Sequence, residues 1–174
     1  MAQRPITVAN EFIRQFGAQS GIDHLKLQKL VYFTQGWWMA TTGRPLVTER
    51  PQVWRYGPVF KSLYSIFSLY RREPITTPKT AGLFLQNTGP LTLEGPEFEN
   101  ERLCVAWVWS EYGALSGTRL SDLTHAIETP WRKLAEQQNF SVPLDTEIPA
   151  EADWEYFAAL AKERGFEPRP LETA

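Results

Sequence analysis

The side chains that could carry out a reaction are few, and their settings favour other work. The chain has one cysteine, Cys104, and two histidines, His24 and His125. A thiolate beside an imidazole is an activated nucleophile, so a hydrolase pairing Cys104 with His125 is arithmetically open. Cys104, however, lies in the apolar run Leu103-Cys104-Val105-Ala106, where a thiol behaves as a small hydrophobe. Asp122, His125 and Glu128 fall at i, i+3 and i+6, near one helical face, and could meet a cation. One imidazole with two carboxylates is a poor match to the usual zinc sets. There is no phosphate-binding loop, dinucleotide glycine fingerprint or nucleophile elbow. The expectation is a binding protein with no catalytic residues, no metal and no cofactor.

Composition agrees with an ordinary globular domain. The 174 residues suit one domain, 43% are hydrophobic and 22% charged, and seven Trp, six Tyr and ten Phe supply bulky core material. A single cysteine allows no internal disulfide, which suits a reducing compartment. The N-terminus lacks a signal-peptide h-region, and the longest apolar run, residues 103–109, is far short of the roughly 20 residues that span a bilayer. These features imply a cytoplasmic protein with no membrane partner. Residues 1–87 carry eleven Lys/Arg against four Asp/Glu, and residues 88–174 carry seven against sixteen. Such a split either makes two oppositely charged faces that steer a partner, or is neutralised as the halves pack together.

The elements that position these residues are mainly helical. Thr7 is an N-cap candidate, with Val8, Phe12, Ile13 and Phe16 following at helical spacing up to Gly17. Asp23 caps a second helix whose stripe is Leu27, Leu30, Val31, Thr34 and Trp38, ending at Gly43. Residues 44–56 change period and predict a short extended segment. Gly57-Pro58 opens a third helix with Pro58 in its first turn. The Gly/Pro-rich stretch that follows reads as a loop with a hairpin near 82–94, pairing 83–85 with 91–93. A fourth helix runs from about 97 to 115 and buries Leu103, Ala106, Trp107, Val108, Ser110 and Tyr112. Ser121 caps a short helix, Thr129-Pro130 caps another, and Pro149 opens a last one with Trp154, Phe157, Ala158 and Ala161 on one face. The expected fold is a mainly α, single-domain bundle of six or seven helices over 1–166, with a flexible tail at 167–174.

Three clusters then carry a resemblance. The first is Lys26-Leu27-Gln28-Lys29-Leu30-Val31-Tyr32-Phe33-Thr34-Gln35-Gly36-Trp37, followed by Gly43-Arg44-Pro45-Leu46. The second is Val53-Trp54-Arg55-Tyr56-Gly57-Pro58-Val59, and the third is Leu120-Ser121-Asp122-Leu123-Thr124-His125 with Pro130-Trp131 after it. In this order and spacing they resemble the Panacea domain, also described as SocA-like or GepA-like, over about residues 5–160. The resemblance implies a helical domain of bacteria and their prophages, acting as the antitoxin of a two-gene toxin–antitoxin system by binding a cognate protein toxin directly. One branch implies a different route, in which the antitoxin is an adaptor that delivers its toxin to an energy-dependent AAA+ protease. The domain begins almost at residue 1, so no appended DNA-binding domain is expected.

Lys26, Gln28 and Lys29 flank Leu27 and Leu30, so their polar heads are expected on the exposed side of the second helix, as partner contacts or as a solvated face. With them, Trp54, Arg55, Lys61, Tyr70, Arg71 and Arg72 are the partner-binding candidates, being of the types enriched at hot spots or basic. Tyr56, Gly57 and Pro58 read as a strand-to-helix turn in which Gly57 permits an unusual φ. Thr124, His125, Pro130 and Trp131 read as a buttress between two short helices. A nucleic-acid-binding regulator is disfavoured, because no basic recognition helix with helix-turn-helix spacing occurs.

Overall fold

The computed structural model describes residues 1–18, 21–80 and 91–172. Seven α-helices and one two-stranded antiparallel sheet occur among them. The helices are α1 (Pro5–Phe16), α2 (His24–Thr42), α3 (Lys61–Phe67), α4 (Glu99–Tyr112), α5 (Gly117–His125), α6 (Pro130–Gln137) and α7 (Ala150–Glu163). The strands are β1 (Gln52–Trp54) and β2 (Gly57–Val59). This is the mainly α fold expected, and the short extended segment appears as β1. The hairpin expected near 82–94 falls largely outside the described residues.

The fold is organised around α2. Asp23 caps it, its carboxylate accepting from the Lys26 amide at 2.8 Å, and Gly43 ends it in the left-handed conformation at φ 75°. Residues from Leu27 to Trp37 are buried without interruption, so the helix has no solvated face. α1, α4, α5 and α7 all pack on it, with β2 and α3 against its first half. Helix α7 comes closest at Gly36, where a Cβ would lie 2.1 Å from the Phe157 ring. Only a residue without a side chain admits Phe157 there, and the ring then sits edge-on to Tyr32, Phe33 and Trp37. Trp37, 2% exposed, donates from its indole to the Tyr112 hydroxyl at 3.0 Å. The core tryptophan is therefore Trp37, and Trp38, expected on the buried stripe, is only half-buried.

Several boundaries move for identifiable reasons. Helix α1 starts at Pro5, ahead of the expected Thr7 cap, because proline is pre-set for the first helical position. Pro58 belongs to β2, and α3 begins only after Phe60. Ser116, not Ser121, caps α5, its side chain accepting from the Arg119 amide. On α4 the buried residues are Val105, Val108 and Tyr112, while Leu103 is 61% exposed and Ser110 is also exposed. Asp153, unexpectedly, shares the buried face of α7 with Phe157, Ala158 and Ala161. The segment expected to be a tail has partners: the Arg169 and Glu172 amides donate to the Ala40 and Gly43 carbonyls, and Trp154 donates to the Arg169 carbonyl. Ion pairs join the basic and acidic halves at Arg44–Glu172 and Lys61–Asp145.

Candidate functional site

Strands β1 and β2 pair in the register Gln52 with Val59, Val53 with Pro58 and Trp54 with Gly57, so Arg55 and Tyr56 form a two-residue tip. Side chains from three helices approach carbonyls at the tip and in the strands of this hairpin. From α6, the Trp131 indole donates to the Trp54 carbonyl at 2.8 Å. From α5, His125 Nε2 faces the Arg55 carbonyl at 3.1 Å and the Ser121 hydroxyl donates to the Tyr56 carbonyl at 2.8 Å. From α2, the Lys29 ammonium donates to the Pro58 carbonyl at 2.8 Å. Two residues further on, the Gln28 amide makes two bonds to the Phe60 backbone, donating at 3.0 Å and accepting at 2.9 Å. All three sequence clusters thus converge on one hairpin.

The clamp is close-fitting. Gly57 has φ +96°, and a Cβ there would lie 2.3 Å from Thr124 Oγ1 and 3.0 Å from Lys29 Nζ. Glycine is required both for its conformation and for the space. Thr124 is held in turn by donating to the Ser121 carbonyl at 2.7 Å, and Thr129 donates to the Thr124 carbonyl at 2.7 Å while capping α6. The His125 ring packs on Trp131 with centroids 3.9 Å apart.

The expectation that Lys26, Gln28 and Lys29 reach solvent is overturned. They are 5%, 1% and 0% exposed. Lys26 donates to the Gly113 carbonyl at 2.6 Å and lies over the Trp109 ring, and burial pushes its ammonium pKa down. Burial pushes Lys29 down to about 7, since no carboxylate accompanies it. These side chains tie α2 to other elements, as does Gln35, which accepts from the Leu46 and Val47 amides at 2.7 and 2.9 Å.

The other candidates separate into two groups. Trp54, Arg55 and Lys61 lie together beside the hairpin and line one groove. Arg55 is exposed over the Tyr56 ring, and Tyr56 is 60% exposed. Tyr70, Arg71 and Arg72 sit beyond the far end of α3; both arginines are exposed, while Tyr70 is half-buried against Phe67. Sequence reasoning missed the segment that walls the groove, which includes Phe140, Val142 and Leu144. Its only signal is Phe140, Val142 and Leu144 recurring at every second position between Asn139 and Asp145.

The chemistry first weighed is otherwise engaged. Asp122 pairs with Arg119, Glu128 pairs with Lys133, and His125 directs both ring nitrogens at backbone carbonyls. Burial pushes the Cys104 thiol up to about 12. No helix among the described residues is long and apolar enough to cross a membrane.

Residues 27–132 match the family model "Antitoxin SocA-like, Panacea domain". That span runs from α2 into α6 and holds all the clamp residues. A relative, "Antitoxin SocA" of Caulobacter vibrioides (strain NA1000 / CB15N), is 29% identical over 114 residues, covering 66% of this chain and 60% of the relative. The chain therefore spans less than two thirds of that relative's length. No solved structure matches. With a family match over more than half its length that contains the clamped hairpin, the chain belongs to the SocA-like antitoxin family with the Panacea domain.

Proposed function

We propose that the chain is an antitoxin that neutralises a toxin encoded by an adjacent gene, by binding the toxin protein directly through the face that carries the Arg55-Tyr56 tip. The observation that carries this reading is the clamp: side chains from α2, α5 and α6 bind the hairpin's carbonyls and hold two exposed side chains in place. Pre-organisation of this kind lowers the ordering cost of association. Tyr and Arg are also the types that dominate interface energetics. The role requires no reaction and no cofactor, only occlusion of the toxin's working surface.

The adjacent gene product, expressed alone, should arrest growth, and co-expression of this chain should restore it with a complex that co-purifies. Tyr56→Ala should weaken the complex by about 2 kcal/mol, roughly 30-fold, as measured by calorimetry. Arg55→Glu should slow association at low ionic strength, and the difference should narrow toward 1 M salt, where the Debye length falls to about 3 Å. Rescue without physical association would count against occlusion. A fall in toxin abundance during rescue would instead mark delivery to a protease.

A further inference from the structure

The groove beside the hairpin has a shape and a charge that the clamp does not explain. It encloses about 750 Å³ and is walled mainly by Val53, Trp54, Trp131, Phe140, Val142 and Leu144. At its lip Leu144 is 96% exposed and Phe140 57% exposed, so two large apolar side chains border a cavity that nothing among the described residues covers. The segment that carries them holds left-handed backbone at three non-glycine residues, Asn139 (φ 49°), Phe140 (φ 59°) and Asp145 (φ 59°). That conformation is unfavourable for any residue with a Cβ, and most of all for Phe among these, since it lacks the local hydrogen bonds that Asn and Asp can make. The segment is nonetheless held at both ends. The Phe140 amide donates to the Ala135 carbonyl at 2.7 Å, and the Val53 amide donates to the Thr146 carbonyl at 2.8 Å, joining the segment to β1. Unfavourable backbone retained around an uncovered apolar lip is the pattern of a recognition surface.

Charge identifies the occupant. Across the groove, Lys61 is already engaged by Asp145 at 2.7 Å. Arg55 is exposed and has no carboxylate within ion-pair reach among the described residues. The uncompensated charge at the rim is thus positive. We propose that the groove seats one segment of the toxin, a turn or helix presenting a large apolar side chain with a carboxylate beside it, which enters between Trp54 and Leu144 and pairs with Arg55. This rests on the antitoxin reading and narrows it to a surface and to a partner chemistry.

The test uses the full chain and the purified product of the adjacent gene, with affinity read by calorimetry and folding by thermal midpoint. Leu144→Ser and Phe140→Ser alter exposed side chains, so the midpoint should hold while affinity falls at least tenfold. Arg55→Glu should weaken binding similarly, and neutralising one acidic residue of the toxin should remove the difference between Arg55→Glu and wild type. Leu69→Ser, an equally exposed leucine outside the groove, should bind as wild type does. Wild-type affinity in both lip variants overturns the proposal while leaving the antitoxin reading intact. Failure of the wild-type chain to bind at all removes that reading, and this inference with it. Sedimentation velocity adds one more arm: self-association lost in Leu144→Ser, with toxin affinity unchanged, would assign the groove to a second copy and overturn the proposal.

Discussion

Lys29→Glu should leave the chain unfolded at neutral pH, whereas Lys29→Met should fold. Lys29 is fully buried, and its ammonium has a single partner, the Pro58 carbonyl at 2.8 Å. A glutamate there would aim a carboxylate at a carbonyl oxygen, with no cation or donor to meet it. An uncompensated buried charge costs about 3–5 kcal/mol, and a carbonyl stripped of its donor adds about 1–3 kcal/mol. The total, about 4–8 kcal/mol, rivals the whole stability of an ordinary domain. Methionine has a similar length and no charge, so Lys29→Met loses only the hydrogen bond. Far-UV circular dichroism and a thermal melt decide the matter. A cooperative Lys29→Glu transition within a few degrees of wild type would show that the side chain escapes to solvent.

The same residue shows where sequence reading reached its limit. The spacing of Leu27, Leu30 and Val31 places α2 correctly, and Asp23 and Gly43 bound it correctly. The pattern cannot reveal that the other faces are covered too, because a lysine beside an apolar stripe normally marks the solvent side. Here Lys26, Gln28 and Lys29 are buried by carbonyls that arrive from residues 113, 60 and 58. Those carbonyls come from the C-cap of α4, the N-cap of α3 and the middle of β2, and their proximity is a property of tertiary packing alone. The family motif is accordingly polar because it fastens backbone.

Boundaries failed where two capping signals competed within a few residues. Ser121 resembles an N-cap as well as Ser116 does, yet its hydroxyl is used on the Tyr56 carbonyl. Pro58 is as suited to a helix start as to a strand, and pairing with Val53 decides for the strand. The groove's sequence signal is confined to the alternation of Phe140, Val142 and Leu144. Its lip comes from left-handed residues at 139, 140 and 145, none of them glycine, so the usual marker of such turns is missing. Arg55 and Tyr56 are neighbours in the chain, and the register of β1 with β2 is what sets both at the tip of the hairpin.

A buried acid should give this protein an unusual dependence of stability on pH. Asp153 is 1% exposed on the inner face of α7, and the Tyr32 hydroxyl donates to it at 2.6 Å. Burial raises its pKa to about 7 from 3.8, the single hydrogen bond offsetting only part of the penalty. Because the folded value lies above the unfolded one, the stability this carboxyl contributes is complete below about pH 4. It is lost progressively as pH rises through about 7. Lys29 runs the other way: its folded value is depressed from 10.5 to about 7, so its contribution is present above about 10.5 and is lost as pH falls toward 7. The two limbs meet in a trough near neutrality. Asp153→Asn keeps the oxygen that accepts from Tyr32 and cannot ionise, so it should match wild type near pH 4 and exceed it at pH 8. At about 1.4 kcal/mol per unit, the gain is on the order of 4 kcal/mol, or about 8–16 °C in the melting midpoint for a domain of this size. Denaturant titrations of both proteins at pH 4, 6 and 8 measure the difference curve, in which every other titrating group cancels. A difference that stays flat across this range would place the Asp153 carboxylate in contact with water or with a cation.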